Sequence, residues 1–361
     1  MSHKAIAAHA ATRPSPARAF NAHKESLTGQ IVGLKYRIDD EIGRGGIAVV
    51  YKGIDIGTKK PVAIKIIAPN DKIQLADALR EANYLRQFDH PNILKCFDTG
   101  VHKIDDREVY YIVTELLNGQ TLEKRLEQLK PIGWQEIRDG MKEIAQALQH
   151  MHDHGIVHRD IKPDNIFVAE GMWGKVFKII DVGIARRVEE EQNKPGTLSG
   201  TPQYIAPEAI STNATPSSDQ YAFGAVLYEL LTGQVAIEGG TTHEILAKQL
   251  HIKPEPVRKL RPHIPKSVEK IIARCLEKKP SDRFESMAHV ADAIDDTRRR
   301  SYSKRELRKM ENAPAKPLDP RILVVAITLA AIVGFILSLV DRNMINNSHA
   351  EAIETKLPTQ R

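Results

Sequence analysis

The chain has 361 residues, 42% hydrophobic and 27% charged, the balance of an ordinary globular protein rather than a disordered or multi-span membrane one. Its net charge is +6 and its pI about 9.1, but much of the excess lies between Arg298 and Lys309. With no accompanying motif, that basicity gives no reason to expect a nucleic-acid partner. Two cysteines, Cys96 and Cys275, are too few for a disulfide framework or a zinc site and fit a reducing compartment.

Residues 1–30 are rich in Ala, His, Pro and Ser, with Glu25 the first acidic residue, and show no hydrophobic period. They read as a disordered N-terminal arm. No apolar run there suffices for a signal peptide, while basic, acid-poor composition leaves an organellar transit peptide as the lesser alternative. From Lys35 onward short β-type runs follow at 36–42, 49–54 and 61–67, separated by Gly, Asp and Lys turns. Residues 73–87 read as a helix carrying Glu81, and 109–115 as another strand, which makes a small sheet-dominated lobe. Beyond Thr121 the pattern becomes helical. Ile137, Met141, Ile144, Leu148 and Met151 recur at steps of four and three, one buried face of a long helix. Further helices are predicted over 217–233, 242–250, 267–276 and 286–297, so the second lobe is mainly α.

The segment Gly43, Arg44, Gly45, Gly46, Ile47, Ala48, Val49, Val50 lies between two predicted strands, where a glycine-rich turn can bring backbone N–H groups to phosphates. Taken alone it is an ordinary hairpin turn. The next strand ends in Val62, Ala63, Ile64 and Lys65, an ammonium placed to reach those phosphates, with Glu81 on the following helix able to orient it. Single strand lysines are usually just solvated. Then come His158, Arg159, Asp160, Ile161, Lys162, Pro163, Asp164 and Asn165, followed by Asp181, Val182, Gly183 and by Ala206, Pro207, Glu208.

With these blocks in order over about residues 36–297, the chain resembles the eukaryotic-type (Hanks-type) protein Ser/Thr kinases. The resemblance implies an α+β, bilobal protein kinase fold: an antiparallel sheet with one key helix (about 31–115) and a mainly helical lobe (about 119–297). It implies phosphoryl transfer from ATP with Mg2+ to Ser or Thr of protein substrates, run by positioning and charge neutralisation. Asp160 matches the proton-accepting carboxylate, and Lys162 the residue that steadies the γ-phosphate. Lys65, paired with Glu81, matches the clamp on the α- and β-phosphates. Asn165 and Asp181 match the metal ligands. Ile42, Gly43, Gly45, Gly46, Val50 and Ala63 would enclose the nucleotide, Thr114 would be a small gatekeeper, and backbone groups of Glu115 and Leu117 would bond adenine. Asp219 resembles the buried aspartate bracing the catalytic loop, and Arg283 the partner of Glu208.

Two departures stand out. Ala48 occupies the place of the usual third glycine, where a methyl group restricts positive φ, and Val182 replaces the usual Phe beside Asp181. Lys162 together with Thr201 resembles the Ser/Thr branch. Arg159 before Asp160 resembles kinases whose activation loop is ordered by phosphate, which makes Thr197 and Ser199 expected autophosphorylation sites, with dimerisation for trans-autophosphorylation as the corresponding partner expectation. A membrane-anchored pseudokinase scaffold is the alternative. His150 and His154 could in principle share a metal across one helical turn. Their plainer reading, with His152, is favourable charge at a helix C-terminus, and His158 reads as packing.

Residues 322–340 run without a charge, and at 1.5 Å per residue a helix there spans roughly 28 Å, enough for a bilayer core. Residues 298–321 form a basic juxtamembrane linker carrying nine Lys or Arg, which places the kinase domain (31–297) in the cytoplasm. The expectation is a single-pass cell-membrane protein with a short extracytoplasmic tail, 341–361, similar to bacterial membrane-anchored Ser/Thr kinases but without their large ectodomain.

Overall fold

Alternation along the early strands explains the first half of the computed structural model, which describes residues 27–44, 48–67, 80, 82–104, 107–129, 131–171, 174–182, 185–187, 200–211 and 213–301. Val62, Ile64 and Ile66 are buried against Tyr36, Ile38, Val49, Tyr51, Val109, Tyr111 and Val113. With a period of two, this sends Ala63, Lys65 and Ile67 to the opposite face. The strands are β1 (Ile31–Val32), β2 (Tyr36–Arg44), β3 (Ala48–Asp55), β4 (Pro61–Ile67), β5 (Cys96–Ile104) and β6 (Arg107–Glu115). They form one antiparallel sheet in the order β1-β2-β3-β4-β6-β5. Residues 82–87 are helical and contribute Ala82, Tyr84 and Leu85 to the larger core.

The sheet begins earlier than the alternation suggests. Leu27 is buried, Gly29 donates to the Ile38 carbonyl at 2.8 Å and Ile38 to that of Gln30 at 2.8 Å. The arm expected over 1–30 therefore gives way to folded chain at Leu27, held by backbone bonds that composition does not register. Strand β5 also escapes the pattern. It is an edge strand with Phe97 and Val101 half exposed, and an edge needs no strict alternation.

The second lobe starts with β7 (Gly119–Thr121), α1 (Leu122–Gln128) and α2 (Trp134–Asp153). The five-residue apolar face of α2 is entirely buried. Next come β8 (Ile156–Val157), β9 (Ile166–Gly171), β10 (Gly174–Ile179) and β11 (Arg186–Arg187), where β10-β9-β7 make a ribbon and β11 pairs β8. Helices α3 (Pro207–Ser211), α4 (Pro216–Thr232), α5 (Thr242–His251), α6 (Val257–Leu260), α7 (Lys266–Cys275) and α8 (Met287–Ser301) complete it. Helix α4 is buried from Ser218 through Leu231, which marks it as the centre of the lobe. It ends where Gly233, at φ 77°, adopts the left-handed conformation and donates to Glu229 O at 2.7 Å, a C-terminal stop that favours glycine.

The two lobes are stitched at residues 92–94. Leu94 N–H donates to Ile179 O at 2.8 Å and Ile179 N–H to Asn92 O at 2.9 Å. The Asn92 amide donates to Phe177 O at 2.8 Å and to Glu143 Oε2 of α2 at 2.9 Å. Among the described residues no helix is long and apolar enough to cross a membrane. The apolar run 322–340, the linker before it and the tail after it lie outside those residues.

Candidate active site

The loop after β8 has to present several side chains in one direction, and its backbone is held to do so from beneath. Asp219, fully buried on α4, accepts the N–H of His158 at 2.8 Å and that of Arg159 at 2.8 Å. His152 Nε2 lies 2.8 Å from the same carboxylate. Burial alone would raise the Asp219 pKa, but the bond to His152 and its charge, with His158 and the Arg159 N–H, lower it. Arg159 has φ 75°, a conformation costing a non-glycine residue on the order of 1 kcal/mol or more, and the bonds to Asp219 hold it there.

Asp160 stands on that brace. Its Oδ1 accepts the Thr201 N–H at 3.0 Å and the Thr201 hydroxyl at 2.8 Å. Its Oδ2 is 2.8 Å from Lys162 Nζ and accepts Asn165 Nδ2 at 3.2 Å. Burial pushes its pKa up, yet the Lys162 hydrogen bond and charge, helped by Thr201, outweigh this and leave it below the ordinary 3.8. Lys162 also reaches the Thr201 hydroxyl at 3.3 Å. The approach of the Thr201 segment requires Gly200: at φ 113° any Cβ there would lie 2.8 Å from Arg159 O. Asp160 and Lys162, two residues apart on one loop, thus form one polar cluster with Thr201, which is distant in sequence.

Asn165 and Asp181 are brought to one end of the β9–β10 ribbon. Ile166 pairs with Ile179, and Ile180 N–H donates to Asn165 O at 3.1 Å. The Asn165 amide also donates to Asp160 O at 2.8 Å. With its NH2 engaged, Asn165 offers its carbonyl oxygen, and Asp181 a carboxylate. That is the hard-oxygen donor set Mg2+ takes. Val182 is buried in the main core, so the position of the usual Phe is filled by an apolar side chain of smaller volume.

In the sheet lobe, register does the placing. Gly43 pairs with Val50, Val50 with Lys65, and Lys65 with Ile112, a single row across four strands. The neighbouring row sets Ala63 opposite Thr114, both nearly buried. Ile42 is half exposed at the rim. Ala48 pairs with Ile67 inside β3. An extended residue needs no positive φ, so the departure from glycine is accommodated without the strain that the sequence alone suggests. After β6, Glu115 ties the connection between lobes. Its Oε1 accepts the Lys95 N–H at 2.9 Å and Lys178 Nζ at 2.7 Å. Leu117, beyond β6, is partly buried. Gly45, Gly46, Glu81, Thr197 and Ser199 lie outside the described residues.

Below the loop, Arg283 makes a two-pronged pair with Glu208, Nη1 to Oε1 at 2.7 Å and Nη2 to Oε2 at 2.8 Å. It also donates to Ser217 O at 2.7 Å and Glu277 O at 2.8 Å. Several supporting residues carry no motif: Asn92, Glu143, Lys178 and Gln249. Only a polar residue in an apolar stretch could have flagged them. His152 was expected merely to favour a helix end, yet it reaches Asp219. His150 instead stacks with His90 and His154, ring centroids 5.2 and 4.4 Å away. Among the described residues no group of three or more His, Cys, Asp or Glu is arranged to hold a metal.

Residues 36–293 match the family model described as protein kinase domain. Relatives similar to this chain include a protein of Lactococcus lactis named probable serine/threonine-protein kinase PknB, 36% identical over 282 residues, which cover 75% of this chain and 44% of the relative. The serine/threonine-protein kinase PrkC of Bacillus subtilis is 36% identical over 265 residues, 72% of this chain and 40% of PrkC. The serine/threonine-protein kinase PknA of Mycobacterium tuberculosis is 34% identical over 266 residues, 72% of this chain and 60% of PknA. The chain spans less than half the length of the first two.

Proposed function

The chain belongs to the protein kinase family, and from that premise we propose that it transfers the γ-phosphoryl group of ATP to Ser and Thr hydroxyls of protein substrates. The observation that carries this reading is the state of Asp160: a carboxylate kept ionised, hydrogen-bonded to one hydroxyl already, with an ammonium 2.8 Å away. A carboxylate kept ionised in this way is a weak base. It orients the acceptor hydroxyl and receives its proton late, as the oxygen's charge passes to phosphorus. The acceptor O–P bond forms, the bond from the γ-phosphorus to the bridging oxygen breaks, and ADP leaves with those electrons.

Lys162 offsets charge on the transferring group, and Lys65, in the row with Gly43 and Val50, holds the other phosphates beneath the sheet. Asn165 and Asp181 would hold magnesium, which when bound neutralises phosphate charge. The hinge backbone at Glu115 and Leu117, behind Thr114, would take the adenine. The Lys162–Thr201 bond and the serine/threonine kinase relatives support hydroxyl rather than phenol acceptors.

Transfer of radiolabel from [γ-32P]ATP to a protein substrate tests the reading. Asp160→Asn is expected to lose on the order of 100- to 10,000-fold in kcat with its unfolding temperature retained. Equal labelling by both proteins, or by neither, sinks it; labelling by neither is the outcome a pseudokinase scaffold gives. Autophosphorylation at Thr197 and Ser199 belongs to the same reading, in trans between two copies. The apolar run 322–340 and the basic residues before it support a single-pass anchor with the kinase domain in the cytoplasm. Release of the full chain from membranes by alkaline carbonate overturns that part.

A further inference from the structure

Gln249 on α5 is fully buried, and an amide so placed is stable only when its groups are bonded. Its Nε2 donates to two carbonyls of the segment after Thr201, Pro202 O at 3.3 Å and Gln203 O at 2.8 Å. Its Oε1 accepts the hydroxyl of Tyr221 at 2.6 Å. Tyr221, fully buried on α4, accepts in turn from Lys278 Nζ at 2.9 Å. This chain has one polarity. Protonated at neutral pH, Lys278 donates, so the Tyr221 hydroxyl spends its proton on Gln249, and the amide must turn its NH2 toward the two carbonyls. The reversed amide would set oxygen against oxygen.

We propose that Gln249 is a positioning residue that sets the height of the 201–204 loop, and with it the affinity for the acceptor peptide. This rests on the cleft being a phosphoryl-transfer site. The two carbonyls follow directly on Thr201, whose N–H and hydroxyl sit on Asp160. Tyr204 at the far end is pinned separately, its hydroxyl donating to Glu229 at 2.6 Å. Gln249 therefore holds the middle of a segment whose ends are held elsewhere. The ATP side is built from the Gly43–Val50–Lys65 row and the hinge, which Gln249 does not touch. Removing the amide should therefore act on one substrate and spare the other.

The test uses the full chain and the best Ser/Thr peptide that a degenerate library yields for the wild type. Gln249→Leu removes both functions of the amide, and Gln249→Glu keeps the acceptor for Tyr221 but loses the donors. Both are expected to raise the peptide KM about tenfold, the worth of one or two net hydrogen bonds, with the ATP KM within about twofold of wild type. Tyr221→Phe, which frees the amide without removing it, should have a smaller effect. Hydrogen exchange at the amides of Gln203 and Tyr204 should speed up in Gln249→Leu without substrate. Peptide and ATP KM rising together, or an unchanged peptide KM, overturns the proposal. If the wild type transfers no phosphate, the kinase reading falls and the exchange comparison alone decides: unchanged exchange overturns positioning by Gln249, faster exchange supports it.

Discussion

The loop carrying Asp160 and the sheet carrying Lys65 position their side chains by opposite means. Around Asp160 the polar groups are fixed by side-chain bonds, two of the partners far away in sequence, Asp219 under the backbone and Thr201 on the carboxylate, and two on the same loop, Lys162 on the carboxylate and Asn165 alongside. Around Lys65 the placing is done by strand register, which sets Gly43, Val50, Lys65 and Ile112 in a row whatever their side chains. A hydrogen-bonded loop fails when one atom is removed, because the groups left behind are buried and unpaired. A register fails only when pairing itself is lost. The tolerance of the sheet for Ala48 in place of glycine, and the dense bonding beneath Asp160, are two sides of this difference.

The comparison breaks most visibly at Asp219. Asp219→Ala strands two backbone N–H groups and His152 in the core, and is expected to cost about 3–5 kcal/mol in denaturant unfolding and to lower kcat even for the fraction that stays folded. Val182→Phe, which restores the residue more usual in the family, should cost about 1–3 kcal/mol, because the main core is already closed around valine and overpacking strains it; calorimetry checks this. Ala48→Gly is the control from the sheet. It should cost about 0.5–1 kcal/mol, the entropy of glycine in a strand, and leave the ATP KM within about twofold.

A last effect is one of pH. Burial, with the Arg283 guanidinium close by, brings the Lys278 pKa down to about 8 from 10.5 when unfolded. Between those values the unfolded chain binds the extra proton, so Lys278 makes stability rise with pH from about 8 to 10.5. Lys278→Met should flatten that rise in unfolding measured across the window. Asp160 and Asp219 behave in the opposite range. Both lie below 3.8, so their contributions are complete at neutral pH and are lost only as acid titrates them below that value.

Much of the fold was legible because it depends on local periods. The strand at 61–67 and the helices at 242–250 and 267–276 fall within a residue or two of the elements found, since alternation and the 3.6-residue repeat report burial of one face. Leu27 and β5 were not legible, because their order comes from backbone bonds to neighbours, which composition does not encode. The residues in contact with phosphate, metal or acceptor in the proposed mechanism were legible for a different reason: their chemistry restricts the residue types, and the spacing of the blocks is characteristic. His152, Asn92, Glu143, Lys178 and Gln249 had no such signature. Each is an ordinary polar residue until folding places it.

By itself, then, the amino-acid order determined the two-lobed α+β plan and pointed to the groups proposed for phosphoryl transfer, because apolar period and reactive residue type are properties of short segments. Tertiary structure alone decided that His152 joins Asp219, which carbonyls Gln249 grips and that Ala48 sits in an extended strand. Those depend on atoms brought together across the chain, where a few tenths of an ångström separate a hydrogen bond from a buried, unpaired group.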